Sequence, residues 1–260
     1  MPEGDTVHTI ANYLAPRLVG SLLVRGRARD VVTRLDGRTV ERVYCQGKHL
    51  FIQMEPDLLL RSHLGMHGQW HRYDHGARWK RPARQASVEL ETSDCIYVLF
   101  NARDVELMRQ TGVQAKVWQA RLGPDLVTSA PQPNQLLQRV REFCGHDTPI
   151  ADVLLSQRVA SGIGNVYKSE LLFLAGIHPT RPWPSVPSNT LYEMYQNAHE
   201  LLVENIGGSM RQTRFEKDGR GRLWVYGRRD QPCLRCQTPI ASASLGTHMR
   251  PTFWCSSCQV

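Results

Sequence analysis

Between Gln157 and Glu170 the chain reads Gln-Arg-Val-Ala-Ser-Gly-Ile-Gly-Asn-Val-Tyr-Lys-Ser-Glu, a small-residue turn set between two apolar periodicities. Gly162 and Gly164 permit positive φ and let another stretch of backbone come close. Asn165 then falls where a helix begins, a position that favours asparagine as N-cap. Exposed amides at such a helix start form a natural phosphate site. An ordinary capped turn has the same signature, so this stretch alone leaves both readings open.

Outward from that turn the spacing is helical. Apolar residues recur at helical intervals over Leu136–Phe143, Ile150–Gln157, Val166–Ala175 and Ser188–Ile206. Upstream, Gly123–Gln135 carries three prolines among polar residues and reads as a linker. Before it the period shortens to that of strands: Leu22–Arg25, Arg38–Tyr44, His49–Met54, Leu58–Ser62, Ser87–Leu90 and Cys95–Phe100, punctuated by Gly, Asp and Pro. A leading helix over Asp5–Leu18 places Val7, Ile10, Ala11 and Leu14 on one face. Gly207–Gly221, rich in glycine and arginine, reads as a mobile loop. The expected division is therefore a β domain over residues 1–122, a linker over 123–135, a helical domain over 136–224 and a small module over 225–260.

That last module contains Cys233-Leu-Arg-Cys236 and Cys255-Ser-Ser-Cys258, two CxxC knuckles separated by 18 residues. Each knuckle brings two thiolates to one ion across a tight turn, and two knuckles complete a tetrahedral zinc site. A ribbon this small lacks a core of its own, so one zinc ion is expected as its structural staple. Ile240–Ser244 and Thr252–Trp254 are placed to pair as a hairpin between the knuckles. Arg250, at the end of its loop, is either a solvated side chain or a guanidinium set to grip phosphate.

Composition narrows the classes of partner. The chain has 260 residues, 41% of them hydrophobic, and a formal net charge of +8. A core is affordable, and the basic excess favours an anionic partner such as nucleic acid. No apolar run is long enough for a bilayer-spanning helix. The N-terminal residues lack the pattern of a signal peptide, so the cytoplasm is the expected location and no membrane partner is expected.

Several motifs occur together and in order: Met1-Pro2-Glu3-Gly4, Gly47-Lys48, His63-Leu64-Gly65-Met66, Gly162-Ile-Gly164-Asn165-Val-Tyr, Val225-Tyr-Gly-Arg and Arg250-Pro-Thr-Phe-Trp-Cys255. Through them the chain resembles the formamidopyrimidine-DNA glycosylase and endonuclease VIII family along essentially its whole length. The resemblance implies an α+β multidomain fold. Its parts are an N-terminal antiparallel β-sandwich with a leading helix, and a C-terminal helical domain with a helix–two-turn–helix and a four-cysteine zinc finger. It also implies a bifunctional DNA glycosylase and abasic-site lyase of base excision repair, a monomer acting on damaged DNA at the nucleoid without a small-molecule cofactor.

By the same resemblance the nucleophile is the amine of Pro2, freed once Met1 is removed. An α-amine has an unperturbed pKa of about 7.7–8.0, so a useful fraction is neutral at physiological pH. As a secondary amine, proline forms a charged iminium with the sugar, an electron sink that promotes β-elimination. Glu3 is the implied proton shuttle, although it also suits the first turn of a helix as a mere charge. Lys48 is implied to contact the lesion phosphate and assist bond cleavage. Arg250 is implied to clamp phosphate and support δ-elimination, and Asn165 to bind the backbone beside the lesion. Met66 is implied to fill the gap left by the extruded base, with Gln69 and Trp70 as neighbours, and a core role for Met66 is the alternative.

Two departures stand out. Thr6 occupies a position where the family commonly has a second glutamate, and Asp5, one residue away, points about 100° elsewhere on a helix. Arg103 is not followed by the phenylalanine usual in the guanine-repair branch, and the segment before Val225 is short for that branch. Both favour the endonuclease VIII branch and oxidised pyrimidines. The alternatives are an 8-oxoguanine and formamidopyrimidine glycosylase, or a catalytically silent damage-binding module.

Overall fold

Helix α1 (Gly4–Leu18) forms because Val7, Ala11, Leu14 and Leu18 line up at helical spacing, and all four are buried. It opens a computed structural model that describes residues 1–29 and 34–260. The chain forms two compact units, one of residues 1–2 and 6–121 and the other of residues 3–5 and 122–260.

In the first unit α1 is followed by β1 (Arg25–Ala28), β2 (Val40–Gln46), β3 (His49–Met54), β4 (Leu58–His63), β5 (Gln69–Tyr73), β6 (Ala86–Glu91), β7 (Ile96–Phe100), β8 (Asp104–Arg109) and α2 (Val113–Arg121). The strands make two antiparallel four-stranded sheets, ordered β1-β6-β7-β5 and β2-β3-β4-β8. Leu50, Ile52 and Leu60 of one sheet share a buried cluster with Val88, Leu90 and Leu99 of the other and with Val7 and Leu14 of α1. This is the expected sandwich with its leading helix.

Strands β5 and β8 and helix α2 were absent from the sequence expectation. β5 buries only its last residue fully, and most of β8 is half-buried, so neither shows a strong alternation. Helix α2 has no apolar stripe: Ala115 is buried and Trp118 packs beside it. The expected strand at Leu22 reduces to an isolated bridge with Thr39, and β1 starts at Arg25.

The second unit holds α3 (Pro133–Phe143), α4 (Ile150–Leu155), α5 (Asn165–Ala175) and α6 (Ser188–Glu204), followed by the hairpin of β9 (Ile240–Leu245) and β10 (Arg250–Cys255). Helix α5 is its axis, with every residue from Asn165 to Phe173 buried. The segment read as a linker is packed instead: Leu126 and Val127 join the helical core, and α3 already begins at Pro133. Within Gly207–Gly221, expected to be mobile, Thr213 and Arg214 are buried while most of the other residues are exposed. Its glycines and arginines suggested a solvated loop, but Thr213 finds the buried Glu170 and Arg214 pairs with Glu216 and Asp218. No helix among the described residues is long and apolar enough to cross a membrane.

Leu14 is fully buried in the sandwich core. Leu14→Ala is expected to lower the unfolding free energy of the first unit by about 2–5 kcal/mol, read from urea unfolding followed by far-UV circular dichroism.

Candidate active site and metal centre

The N-terminus of a helix leaves backbone N–H groups without intrahelical partners and carries a partial positive charge. At the head of α5 these groups close on the carboxylate of Glu3. Gly164 N–H donates to Glu3 Oε2 at 2.8 Å, Val166 N–H to Oε1 at 2.7 Å and Tyr167 N–H to Oε2 at 3.3 Å. Glu3 is fully buried. The amides expected to be open to phosphate are therefore taken by the chain's own acid. Gly164 must be glycine for this approach, because a Cβ there would lie 2.5 Å from Glu3 Cδ. Gly162, at φ +119°, turns its carbonyl to accept the Gly4 N–H at 2.9 Å.

Asn165 is not the N-cap. Gly164 occupies that position, and Asn165 is the first helical residue. Its Nδ2 donates to the Pro251 carbonyl at 2.6 Å, and its Oδ1 accepts from Lys168 Nζ at 2.7 Å. Lys168 Nζ also donates to Thr252 Oγ1 at 2.7 Å, and the Thr252 hydroxyl donates to the Arg250 carbonyl at 3.0 Å. Asn165 and the start of β10 are thus brought together, with half-buried Arg250 leading the strand. Burial pulls the Lys168 ammonium down to about 8.

Asp5, in the first turn of α1 and two residues after Glu3, is also buried. It receives Arg211 through two bonds, Nε to Oδ2 at 2.7 Å and Nη2 to Oδ1 at 2.5 Å, and the Tyr167 hydroxyl at 3.0 Å. Arg211 Nη1 stands 3.7 Å from Glu3 Oε1. Burial and the Asp5 charge push the Tyr167 phenol up, so it stays a neutral donor. Thr6, the position of the departure noted above, is half-buried.

The four cysteines of the knuckles gather with their Sγ atoms all within 4.8 Å of one another. Cys233 and Cys255 are buried, Cys236 is exposed and Cys258 is half-buried. Four converging thiols at such separations match a tetrahedral metal site in number and donor type. Hydrogen bonds from Thr238 pull the Cys236 thiol down to about 6, which favours the thiolate a metal needs. The finger is docked by polar contacts. Glu170 accepts the Trp224, Val225 and Tyr226 N–H groups at 2.7–2.9 Å, and Asp152 accepts the Thr247 N–H and hydroxyl at 2.8 and 3.0 Å.

The remaining candidates belong to the first unit. Pro2 is half-buried behind Met1, which is 42% exposed. Lys48 follows Gly47, at φ +59°, in a two-residue turn closed by the Gln46–His49 pair of β2 and β3. Beside it, burial and neighbouring cations depress His49 to about 3 and His63 to about 4, so both imidazoles are neutral at physiological pH. Arg61, fully buried, braces His49: it contacts His49 Nδ1 at 2.9 Å, pairs with Asp104 and lies 3.9 Å from the centre of the Trp118 ring. Met66 is 63% exposed on the Gly65–Gly68 turn, so it is not a core residue. Trp70 instead packs against the sandwich core, whereas Gln69 is exposed and accepts from Arg81 at 2.8 Å. Arg103 is exposed against Gly65.

Two family models match the chain. The formamidopyrimidine-DNA glycosylase N-terminal domain covers residues 1–105, and the formamidopyrimidine-DNA glycosylase H2TH domain covers residues 122–216. The chain belongs to the formamidopyrimidine-DNA glycosylase and endonuclease VIII family. A relative in this family, "Probable endonuclease 8 2" of Streptomyces coelicolor, is 39% identical over 100% of this chain and 94% of its own. "DNA-(apurinic or apyrimidinic site) lyase Nei2" of Mycolicibacterium smegmatis is 35% identical over 100% of this chain and 99% of its own. Among solved structures, a Lactococcus lactis FPG variant in complex with Fapy-dG containing DNA matches with a TM-score of 0.82 and 25% identity, covering 99% of both chains.

Sequence reading missed Arg211 and Lys168 and noted Asp5 only as an acid beside Thr6 that points elsewhere on the helix. Asp5 and Arg211 are 206 residues apart, so no local sequence pattern links them. Gly164→Ala is expected to destabilise the second unit by about 1–3 kcal/mol through overpacking against the Glu3 carboxylate. In a Glu3→Ala background, where the obstructing group is gone, the same Gly164→Ala change should cost far less, and the double-mutant cycle by thermal unfolding reads that difference as coupling.

Proposed function

We propose that this chain is a bifunctional DNA glycosylase and abasic-site lyase that removes oxidised pyrimidines through the amine of Pro2. Family membership supports the activity. The observation that carries the assignment of residues is the fully buried Glu3 carboxylate, held by three backbone N–H groups and next in sequence to Pro2.

Removal of the exposed Met1 frees the proline nitrogen. Its lone pair then attacks the sugar C1′ of the extruded nucleotide, and the bond to the damaged base breaks as the base leaves with its electron pair and takes up a proton. Ring opening gives the iminium between Pro2 and C1′, with Glu3 moving the proton at the sugar oxygen. The iminium acidifies C2′; loss of that proton expels the 3′ phosphate, and a second elimination expels the 5′ phosphate. Water finally releases the sugar remnant and restores the amine.

Lys48, on its tight turn, is assigned to the lesion phosphate. Arg250 and Asn165, brought together at the start of β10, are assigned to the strand backbone and Arg250 to the second elimination. Exposed Met66 is assigned to the gap in the stack. Damaged DNA is the partner, and the net charge of +8 suits its phosphates. One zinc ion, held by Cys233, Cys236, Cys255 and Cys258, supplies structure rather than chemistry by stapling the finger that carries Arg250. The enzyme acts as a monomer in the cytoplasm, at the nucleoid. Preference for pyrimidines is supported by the missing phenylalanine after Arg103 and by the short segment before Val225.

Borohydride should trap a covalent adduct between the Met1-processed enzyme and an abasic duplex, and Pro2→Gly should abolish it. Thymine glycol and dihydrouracil duplexes should be cut faster than 8-oxoguanine opposite cytosine. An adduct that survives in Pro2→Gly would remove Pro2 from the mechanism, and a preference for 8-oxoguanine would move the enzyme to the purine branch. Metal analysis should find one zinc per chain, and Cys233→Ser should lower both zinc content and affinity for abasic DNA. Full DNA affinity without bound metal would overturn the staple.

A further inference from the structure

One buried cation stands against the proton-shuttling acid at ion-pair distance, beyond hydrogen-bond reach. Arg211 is 13% exposed in its side chain and is held from two sides. Its fork grips Asp5 through Nε and Nη2, and its guanidinium carbon lies 4.9 Å from the centre of the Tyr167 ring. Tyr167 is fixed in turn, since its hydroxyl reaches both Asp5 and the Leu201 carbonyl. The backbone around Arg211 is also tied down, because Gln212 N–H donates to Asn205 Oδ1 at 2.6 Å.

From this assembly we infer that Arg211 is a positioning residue for Glu3, and that Asp5 is the anchor that aims it. The inference rests on the role proposed above for Glu3. The 3.7 Å separation between Arg211 Nη1 and Glu3 Oε1 exceeds a hydrogen bond but is within ion-pair range. Charge from Arg211 therefore steadies the carboxylate without adding a fourth hydrogen bond to the three from the backbone, and Glu3 keeps an acceptor site for a proton. The three backbone N–H groups set the plane of the carboxylate, and Arg211 offsets the repulsion between the buried acids Glu3 and Asp5. If Arg211 were bonded directly to Glu3, it would compete with the substrate proton. If Asp5 were absent, the guanidinium would be free to close on Glu3. Asp5 thus serves as an acid that supports catalysis without taking part in proton transfer.

The test uses the full, Met1-processed, zinc-loaded chain in single-turnover excision from a dihydrouracil duplex, with abasic-DNA affinity and thermal midpoint measured in parallel. Arg211→Gln should slow excision at saturating enzyme by at least about tenfold while changing DNA affinity by less than about twofold. Arg211→Lys retains the charge and should recover most of the rate, and Asp5→Asn should fall between wild type and Arg211→Gln. A purely structural ion pair would lower the thermal midpoint but leave the rate of the folded fraction unchanged. That result, or an Arg211→Lys variant as slow as Arg211→Gln while folded, overturns the inference. Should Arg211→Gln not fold, the rates of Arg211→Lys and Asp5→Asn decide alone: both at wild-type speed overturn it. Wild-type trapping on abasic DNA separates the two levels, because its failure sinks the proposed function and its success leaves only the role of Arg211 at stake.

Discussion

A buried carboxylate is tolerated only if its charge is met by donors, and Glu3 is met at the start of α5. This requirement explains much of the surrounding sequence. Gly164 is small because the carboxylate occupies the space of its Cβ, and Gly162 adopts positive φ because its carbonyl receives Gly4. Hydrogen bonds to charged groups contribute about 1.5–3 kcal/mol each, so three of them outweigh ordinary packing contacts at this site. Glu3, Gly4 and Asp5 accordingly group with the second unit.

Helix α5 repeats the device farther along its length. Glu170, also fully buried, accepts the three successive N–H groups of Trp224, Val225 and Tyr226 and the Thr213 hydroxyl. The helix therefore receives one carboxylate at its head and presents another to the segment entering the finger. Packing adds Phe173, which stacks on Trp224 at 5.5 Å and joins the apolar cluster of Val225, Cys233, Ile240 and Cys255. A buried polar network of this kind is costly when half satisfied, and here both oxygens of each carboxylate accept hydrogen bonds.

The architecture was legible where period and burial agree. His49–Met54 coincides with β3, where four of the six residues are buried, and α1, α5 and α6 end within two residues of their expected limits. Chemistry-bearing residue types were equally visible, since two CxxC knuckles and an N-terminal Pro-Glu pair are local patterns. What the sequence hid is tertiary. Asn165 looked like an N-cap because a helix starts there, yet the caps come from Glu3, more than 160 residues earlier. Gly207–Gly221 looked mobile because its composition is that of a loop, whereas Arg211, Thr213 and Arg214 each answer a distant or local acid.

The hydrogen-bond inventory also limits how the two phosphate-binding candidates of the second unit can act. An asparagine amide has two N–H donors and one carbonyl oxygen. In Asn165 the oxygen is taken by Lys168 and one N–H by the Pro251 carbonyl, which leaves a single donor. The Lys168 bond fixes which end of the amide is oxygen, so that donor has a defined direction instead of two interchangeable ones. Arg250 precedes Pro251 and has its own carbonyl held by Thr252, which is held in turn by Lys168. The same buried lysine thus orients both candidates, Asn165 through its side chain and Arg250 through its backbone. Arg250 carries a long, half-buried side chain on a fixed stem, which suits a group proposed to hold a phosphate through successive bond cleavages. Asn165 offers one directed bond, which suits a group that sets register and does not move.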